Sequence, residues 1–388
     1  MKRIRCTPRP HWQQLATQLG FHFHSINDAP YWDETAYYQF TLKEIEVDLE
    51  APSQELHQMS LALVDDVLKN EAQLRQLRIP EFYWETLALS WRQQSPALYG
   101  RMDFSYDGNG PAKLLELNYD TPTSLYEAAF FQWLWMEDQI RSGQLPRDVD
   151  QFNSIQDALI ERFRHIAALD KNFAAPLHFA SVRESIEDKG TIDYLRDVAH
   201  QAGWVTHYLA IEDIGWSTEQ GFVDQIHQPI VNLFKLYPWE FMFHEAFGPF
   251  IPYASTRFFE PPWKSILSNK GILPLLWEKY PGHPNLLPAY FLDNAEPAAP
   301  GWVVKPIFSR EGANVALHTS EGQQLVVEGP YTDSGWIRQA CHPLPNFDGH
   351  YVLVGSWLVG DQAVGIGLRE DSTLITQDSS RFVPHIIV

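Results

Sequence analysis

Cysteine is almost absent from this 388-residue chain: Cys6 and Cys341 are the only two, and they stand far apart. A disulfide scaffold, a zinc site and an iron–sulfur cluster all find poor support in so few thiols. No apolar run approaches the length of a membrane span, and the start, MKRIRCTPRPHWQQ, is basic but lacks an apolar signal core. Basic residues are also scarce, 29 against 49 acidic ones, for a net charge of −20. That balance disfavours general binding to nucleic acid or anionic membrane surfaces and would attract a cationic substrate. No internal repeat or low-complexity tract appears. What is left is a globular chain, 45% hydrophobic and 20% charged, with length for two or three structural units. A cytoplasmic protein is the default expectation.

Hydrophobic periodicity divides the chain. The first hundred residues read mostly helical, LKEIEVDLEAPSQELHQMSLALVDDVLKN above all. SLYEAAFFQWLWMEDQI and FNSIQDALIERFRHIAAL read as helices on either side of a Gly/Pro break. From Pro176 the order becomes strand LHFASV, helix EDKGTIDYLRDVAHQAG and strand VTHYLAIEDI, which predicts a small parallel-sheet lobe. From Gly301 the chain is strand-rich, with GWVVKPIF, QQLVVEG, GWIRQAC, YVLVGSWLVG, QAVGIGLRE and TLITQ predicting an antiparallel sheet. The fold class is α+β or α/β. The 14 tryptophans suit sugar stacking or, more commonly, core bulk.

Two stretches carry chemistry. In RMDFSYDGNGPAKLLELNYDTPTS, residues 101–124, apolar and polar residues alternate around a turn-rich centre. Folding about Asn109-Gly110 as a hairpin with a four-residue loop sets Asp103 opposite Glu116 and Arg101 opposite Asn118. Two carboxylates facing across a strand pair at roughly 5 Å repel by about 3 kcal/mol at an effective dielectric near 20. A divalent cation would reverse the sign, and two carboxylates with an amide oxygen suit Mg²⁺. The plainer alternative is an exposed hairpin with solvated acids. In GWVVKPIFSREGANVAL, residues 301–317, Lys305 interrupts an apolar strand and precedes a loop with Ser309, Arg310 and Gly312. Such a lysine and loop can hold phosphate oxygens, although the order is not that of a Walker A motif. A snorkelling edge-strand lysine is the plainer reading. Lys270 and Arg369 add two more cations, and the set describes a nucleotide triphosphate site.

RMDF…LLELNYDTPTS, SNKGILPLLW, VVKPIFSREGANV, IRQACHPLPNFDGHYVLVGSWLVG and GIGLRED together resemble, in order, the synthetase part of the glutathionylspermidine synthase family. The resemblance spans nearly the whole chain. It implies an ATP-grasp fold with an antiparallel C-terminal sheet and a small parallel-sheet substrate lobe. Residues 1–145 would form a helical region with the metal-binding hairpin, 146–240 a preATP-grasp-like lobe, and 241–388 the ATP-grasp region. By the same resemblance Asp103, Glu116 and Asn118 would bind Mg²⁺, expected as two ions. Arg101 would steady the transferring phosphoryl group, and Lys270, Lys305, Gly312 and Gln339 would bind ATP. Arg310 and Arg369 would stand at the acceptor carboxylate and acyl phosphate. Thr121 and Thr123, with Glu187 and Asp188, would contact substrate.

Two departures qualify the resemblance. Bifunctional members carry a Cys–His amidase domain, which is not expected around Cys6. Arg381 stands where polyamine-using members have an acidic residue, so a cation there would repel spermidine. The expected activity is ATP-dependent joining of a carboxylic acid, peptide-like, to an amine other than spermidine, with ADP and phosphate released. The partners are small molecules, not nucleic acid or membrane, and a homodimer is left open. A non-catalytic or ATPase-only nucleotide-binding protein is the alternative, and a glycoside hydrolase built on Asp103 and Glu116 a more distant one.

Overall fold

The computed structural model describes residues 1–388 except 27–28, 170–172, 332–334 and 378–379. Two antiparallel sheets frame its centre. One runs in the order Arg381–Val383, Gln362–Asp371, His350–Val359, Tyr99–Ser105, Lys113–Asn118. The other runs Ala289–Leu292, Trp336–Ala340, Trp302–Pro306, Ala316–His318, Gln324–Val326. The hairpin is therefore joined edge to edge, within one sheet, to strands from the far end of the chain. Every residue from Tyr99 to Ser105 is buried, which removes the reading of a solvated hairpin.

The parallel lobe forms as its pattern predicts. Leu177–Ser181 pairs in parallel with Thr206–Ala210 and with Asn232–Leu236, and Arg257–Phe259 adds a fourth strand. Helix Ile186–Gln201 makes the crossover, its N-terminus capped by the Ser185 hydroxyl accepting from the Asp188 amide at 3.1 Å. Helix Ala51–Val67 buries Leu56, Met59, Leu63, Val64 and Val67, the three- and four-residue spacing of one face. Glu127–Phe131 and Gln132–Arg141 make one continuous buried helix that sinks Phe131 and Trp135 into the core. Trp32, Trp135, Trp204, Trp239 and Trp357 are fully buried, so these tryptophans are core and not sugar platforms.

Three local expectations change. Lys2–Arg5 and Ala36–Phe40 are strands in a sheet completed by His385–Ile387, although the first hundred residues read as helical. Their partners lie either close by or more than 340 residues away, and no local periodicity announces such a pairing. TLITQ is not a strand, because the Thr373 amide and hydroxyl both turn onto the Asp371 carboxylate, at 2.9 and 3.1 Å. Within QQLVVEG only Gln324–Val326 is extended.

Candidate active site

The hairpin pairs Arg101 with Asn118 and Asp103 with Glu116, as its alternation demands. Its connection differs from the four-residue loop. Pairing stops at Ser105 and Lys113, and the register shifts after Asp103, leaving Leu115 unpaired in a bulge. Pro111 lacks an amide to close a tight turn, and the Asn109 amide turns instead onto the Asp107 carboxylate at 2.7 Å. The bulge has a use. It frees the Leu115 carbonyl, which accepts from Lys305 Nζ at 2.8 Å. Gln339 completes the bridge, its Oε1 accepting from Lys305 Nζ at 2.8 Å and its Nε2 donating to the Leu114 carbonyl at 3.1 Å. Lys305 is thus a buried link between the sheets and not a snorkelling edge residue.

The expected repulsion between the facing acids is answered by their neighbours. Arg101 grips Asp103 bidentately, Nε to Oδ1 at 2.6 Å and Nη2 to Oδ2 at 2.9 Å. Asn118 Nδ2 donates to Asp103 at 2.9 Å and to Glu116 at 3.1 Å, and Lys270 Nζ lies 3.3 Å from Glu116. Burial alone would raise the Glu116 carboxyl, but Lys270, Lys305 and the Asn118 hydrogen bond bring it down to about 2. Burial lowers Lys305 to about 8, with Glu116 opposing and Lys270 adding to the shift. Asp103 moves upward, because burial outweighs the pull of Arg101. Gly355, opposite Asp103, leaves the room Arg101 needs, since a Cβ there would come within 2.8 Å of the Arg101 Cδ.

In the loop of Thr121 to Ser124, Thr121, Pro122 and Thr123 line the cleft. Arg101 Nη1 holds this loop by donating to the Thr123 carbonyl at 2.7 Å. Arg310 donates Nη1 to the Thr121 hydroxyl at 2.9 Å and Nη2 to Glu240 at 3.0 Å. Its Nε is buried with no hydrogen-bond partner among the described residues, as is the Ser309 hydroxyl. Those are donors waiting for an acceptor. Gly312 has φ +72°, and a Cβ there would meet the Thr376 carbonyl oxygen at 2.8 Å, so this loop approaches 375–376 as only glycine allows.

One cleft between the two sheets collects Arg101, Asp103, Glu116, Asn118, Thr121, Thr123, Lys270, Lys305, Arg310, Gly312, Gln339 and Arg369. Glu187 and Asp188 are not in its wall. They sit in the first turn of the lobe helix beside it, where Arg310 opposes the upward shift that burial gives Asp188. Arg381 does not line the cleft either. It pairs with Asp33 at 2.6 Å and Glu370 at 3.2 Å, so repulsion of a cationic substrate by Arg381 has no basis in this geometry. Sequence reasoning missed Glu240 and Ser268 in the cleft wall, while Ser309, named with the loop after Lys305, does line it. Nothing local marked Glu240, whose role follows from Arg310 meeting it across 70 positions. The far end of the cleft is apolar, lined by Val303, Val315, Leu317, Leu353, Leu374 and Ile375.

Whether the hairpin suits Mg²⁺ follows from its donors. Among the described residues no group of three or more acids, histidines or cysteines could hold a metal alone. Asp103 and Glu116 supply hard oxygens, and the Asn118 amide now bridges the two acids in the role a cation would have. Such a partial set fits Mg²⁺, which fills its shell with water and phosphate oxygens.

A family model described as "Glutathionylspermidine synthase preATP-grasp" matches residues 3–388. The chain belongs to the glutathionylspermidine synthase family. It is 43% identical over the full length of both chains to a protein of Haemophilus influenzae named "Putative acid--amine ligase". It is 30% identical to the "Bifunctional glutathionylspermidine synthetase/amidase" of Escherichia coli, with 94% of this chain covering 60% of that one. It is 28% identical to the "Trypanothione synthetase" of Crithidia fasciculata, covering 84% of this chain and 53% of that one. The family's named members are thus enzymes that form C–N bonds. A glutathione synthetase-like effector of Globodera pallida, solved in apo form, shares the fold. It has a TM-score of 0.56 at 12% identity, covering 91% of this chain and 89% of that one. No helix among the described residues is long and apolar enough to cross a membrane.

Proposed function

We propose that this chain is an ATP-dependent carboxylate–amine ligase of ATP-grasp fold. A carboxylate attacks the γ-phosphorus of ATP, the bond to the β,γ-bridging oxygen breaks and ADP leaves, giving an acyl phosphate from which an amine, losing a proton, then displaces phosphate to form the amide. The observation that carries the reading is the polarity of the cleft. In a chain of net charge −20, five cations, Arg101, Lys270, Lys305, Arg310 and Arg369, converge between two antiparallel sheets. The apolar end accepts the adenine, and Lys270 and Lys305 stand where they can bind phosphates. Arg101 keeps guanidinium hydrogens beyond its three bonds to face a transferring phosphoryl group, and Arg310 directs its unpartnered Nε toward an acceptor carboxylate. Mg²⁺, expected as two ions at Asp103, Glu116 and Asn118, neutralises phosphate charge when bound.

Glycoside hydrolysis suits this arrangement badly. It needs a protonated acid facing the bond, whereas Arg101 and Asn118 engage both oxygens of Asp103 and Glu116 is held at about 2. The acid is peptide-like in this reading, and the amine is left open, spermidine included. The division at 145 and 240 stands as part of the proposal, with the first and third parts sharing a sheet. Use of ATP favours a cytoplasmic setting, and a homodimer is compatible with it. ADP release, measured with and without Mg²⁺ across a panel of peptide acids and amines, tests the function. Release that needs Mg²⁺, acid and amine together supports it, and release without acid or amine replaces it with an ATPase.

A further inference from the structure

Behind the loop of Thr121 to Ser124 lies a carboxylate that the proposed reaction does not use. Glu127 is fully buried at the start of its helix. Its Oε1 accepts from the Tyr31 hydroxyl at 2.6 Å, and that hydroxyl lies 2.9 Å from the Ser124 hydroxyl. Its Oε2 has no hydrogen-bond partner among the described residues. Ser124 itself has φ +67°, a conformation that a side chain adopts only when its surroundings impose it. The loop is thus pinned twice, by Arg101 on the cleft side through the Thr123 carbonyl and by Tyr31 and Glu127 from behind.

Burying a carboxylate with an empty oxygen is costly unless charge compensates it. Tyr31 and the backbone amide of Glu127 itself hydrogen-bond the carboxyl, and the positive charges that act on it belong to Arg369 and Arg101, two arginines of the cleft. Tyr31 in turn feels Glu127 and Glu187, and Tyr126 on the same helix also feels Glu127. Burial is the largest influence and raises the Glu127 carboxyl to about 7, with Tyr31, Arg369 and Arg101 pulling the other way. Burial thus brings the Glu127 carboxyl close to neutral pH, well above the usual glutamate range.

Building on the ligase reading, we propose that Glu127 is a positioning residue. In its ionised form it holds the Thr121–Ser124 loop through Tyr31 and Ser124 and sets the charge behind Arg101 and Arg369. Protonation would slacken the loop and leave both arginines less well balanced, so the reaction slows in acid while nucleotide still binds.

The test compares the full chain with Glu127→Gln, which keeps shape and removes charge, and with Tyr31→Phe, which removes the hydrogen bond. The first readout needs no substrate. A carboxyl raised in the folded state loses stability as pH rises from its unfolded value toward 7, and glutamine does not. The melting temperature of Glu127→Gln relative to the parent should therefore rise between pH 5 and pH 8.5. An equal gap at both pH values overturns the proposal. The second readout is turnover by ADP release with the best acid–amine pair of the panel. The parent should lose activity below about pH 7. Glu127→Gln should be slower and flat with pH, binding a non-hydrolysable ATP analogue within about threefold of the parent. Tyr31→Phe should move the acid limb to higher pH, since the lost hydrogen bond had favoured the charged form. An acid limb that persists unchanged in Glu127→Gln overturns the proposal. If no pair releases ADP, the ligase reading fails by itself, and the melting comparison still decides whether Glu127 carries the charge.

Discussion

Arg369 and Glu370 are neighbours on one strand, so they point to opposite faces of the same sheet, and the two faces treat charge in opposite ways. On the rear face Glu370 accepts from Arg3 at 2.6 and 3.1 Å, from the Tyr38 hydroxyl at 2.6 Å and from Arg381 at 3.2 Å. Arg381 also reaches Asp33 at 2.6 Å. Two arginines face two acids there, and none of their buried polar atoms lacks a partner among the described residues. On the cleft face, Arg101, Lys270, Lys305, Arg310 and Arg369 outnumber Asp103, Glu116, Glu240 and Glu311, and the Arg310 Nε and Ser309 hydroxyl stay unmet. A closed network stabilises a fold. An unclosed one with surplus cations fits the anionic ligand that the proposed function requires.

Substitutions should separate the two faces. The largest effect is expected for Arg101→Ala. Turnover should fall by about 10³, the scale of charge-stabilising arginines in phosphoryl transfer. Saturation kinetics of ADP release measures it. The variant should also melt lower, because Asp103 would lose its bidentate partner while buried. For the same reason Asp103→Asn should not stabilise the hairpin, despite removing one of two facing acids.

On the rear face, Glu370→Ala strands Arg3, leaves Arg381 with Asp33 alone, and should cost about 3–5 kcal/mol in chemical denaturation. Affinity for a non-hydrolysable ATP analogue should stay at the parent value. A loss of nucleotide binding in Glu370→Ala as large as in the cleft variants would break the comparison.

Much of the cleft face was legible in the sequence and the rear face was not, for physical reasons. The hairpin register followed from alternation, since a period of two leaves one choice of face for Asp103, Glu116 and Asn118. Lys305 stood out because it interrupts an apolar strand. The bulge at Leu115 could not be read, as it depends on Lys305 and Gln339 arriving from 190 and 225 positions away. Glu240 and Glu127 were hidden for the same reason: a lone glutamate in a helical segment carries no mark of what it will face. Arg381 was misjudged because sequence position located it without the Asp33 and Glu370 that neutralise it.

Smaller effects sharpen the picture of the cleft. Lys305→Ala should weaken binding of the ATP analogue by roughly ten- to a hundredfold, the range of a charge-assisted contact of about 1.5–3 kcal/mol. Calorimetric titration reads it directly. Binding as tight as the parent would make Lys305 a strut between the sheets and nothing more. The mildest effect is expected with pH. Lys305 is lowered to about 8, and in the proposed function it holds phosphate in its protonated form, so analogue affinity should weaken as pH rises through 8 toward 9.5. Lys305→Arg, which stays charged, should lose that alkaline limb.

If the cleft makes an acyl phosphate from a carboxylic acid, hydroxylamine reports it without knowledge of the natural amine. The chain would be incubated with Mg-ATP, hydroxylamine and each of a panel of peptide acids, glutathione among them, and assayed for ADP and hydroxamate. The account predicts that at least one acid gives both products in equal amounts, that chelating Mg²⁺ abolishes them, and that Glu116→Gln gives neither. ADP released without hydroxamate from every acid, or tight ATP binding with no ADP at all, would contradict it.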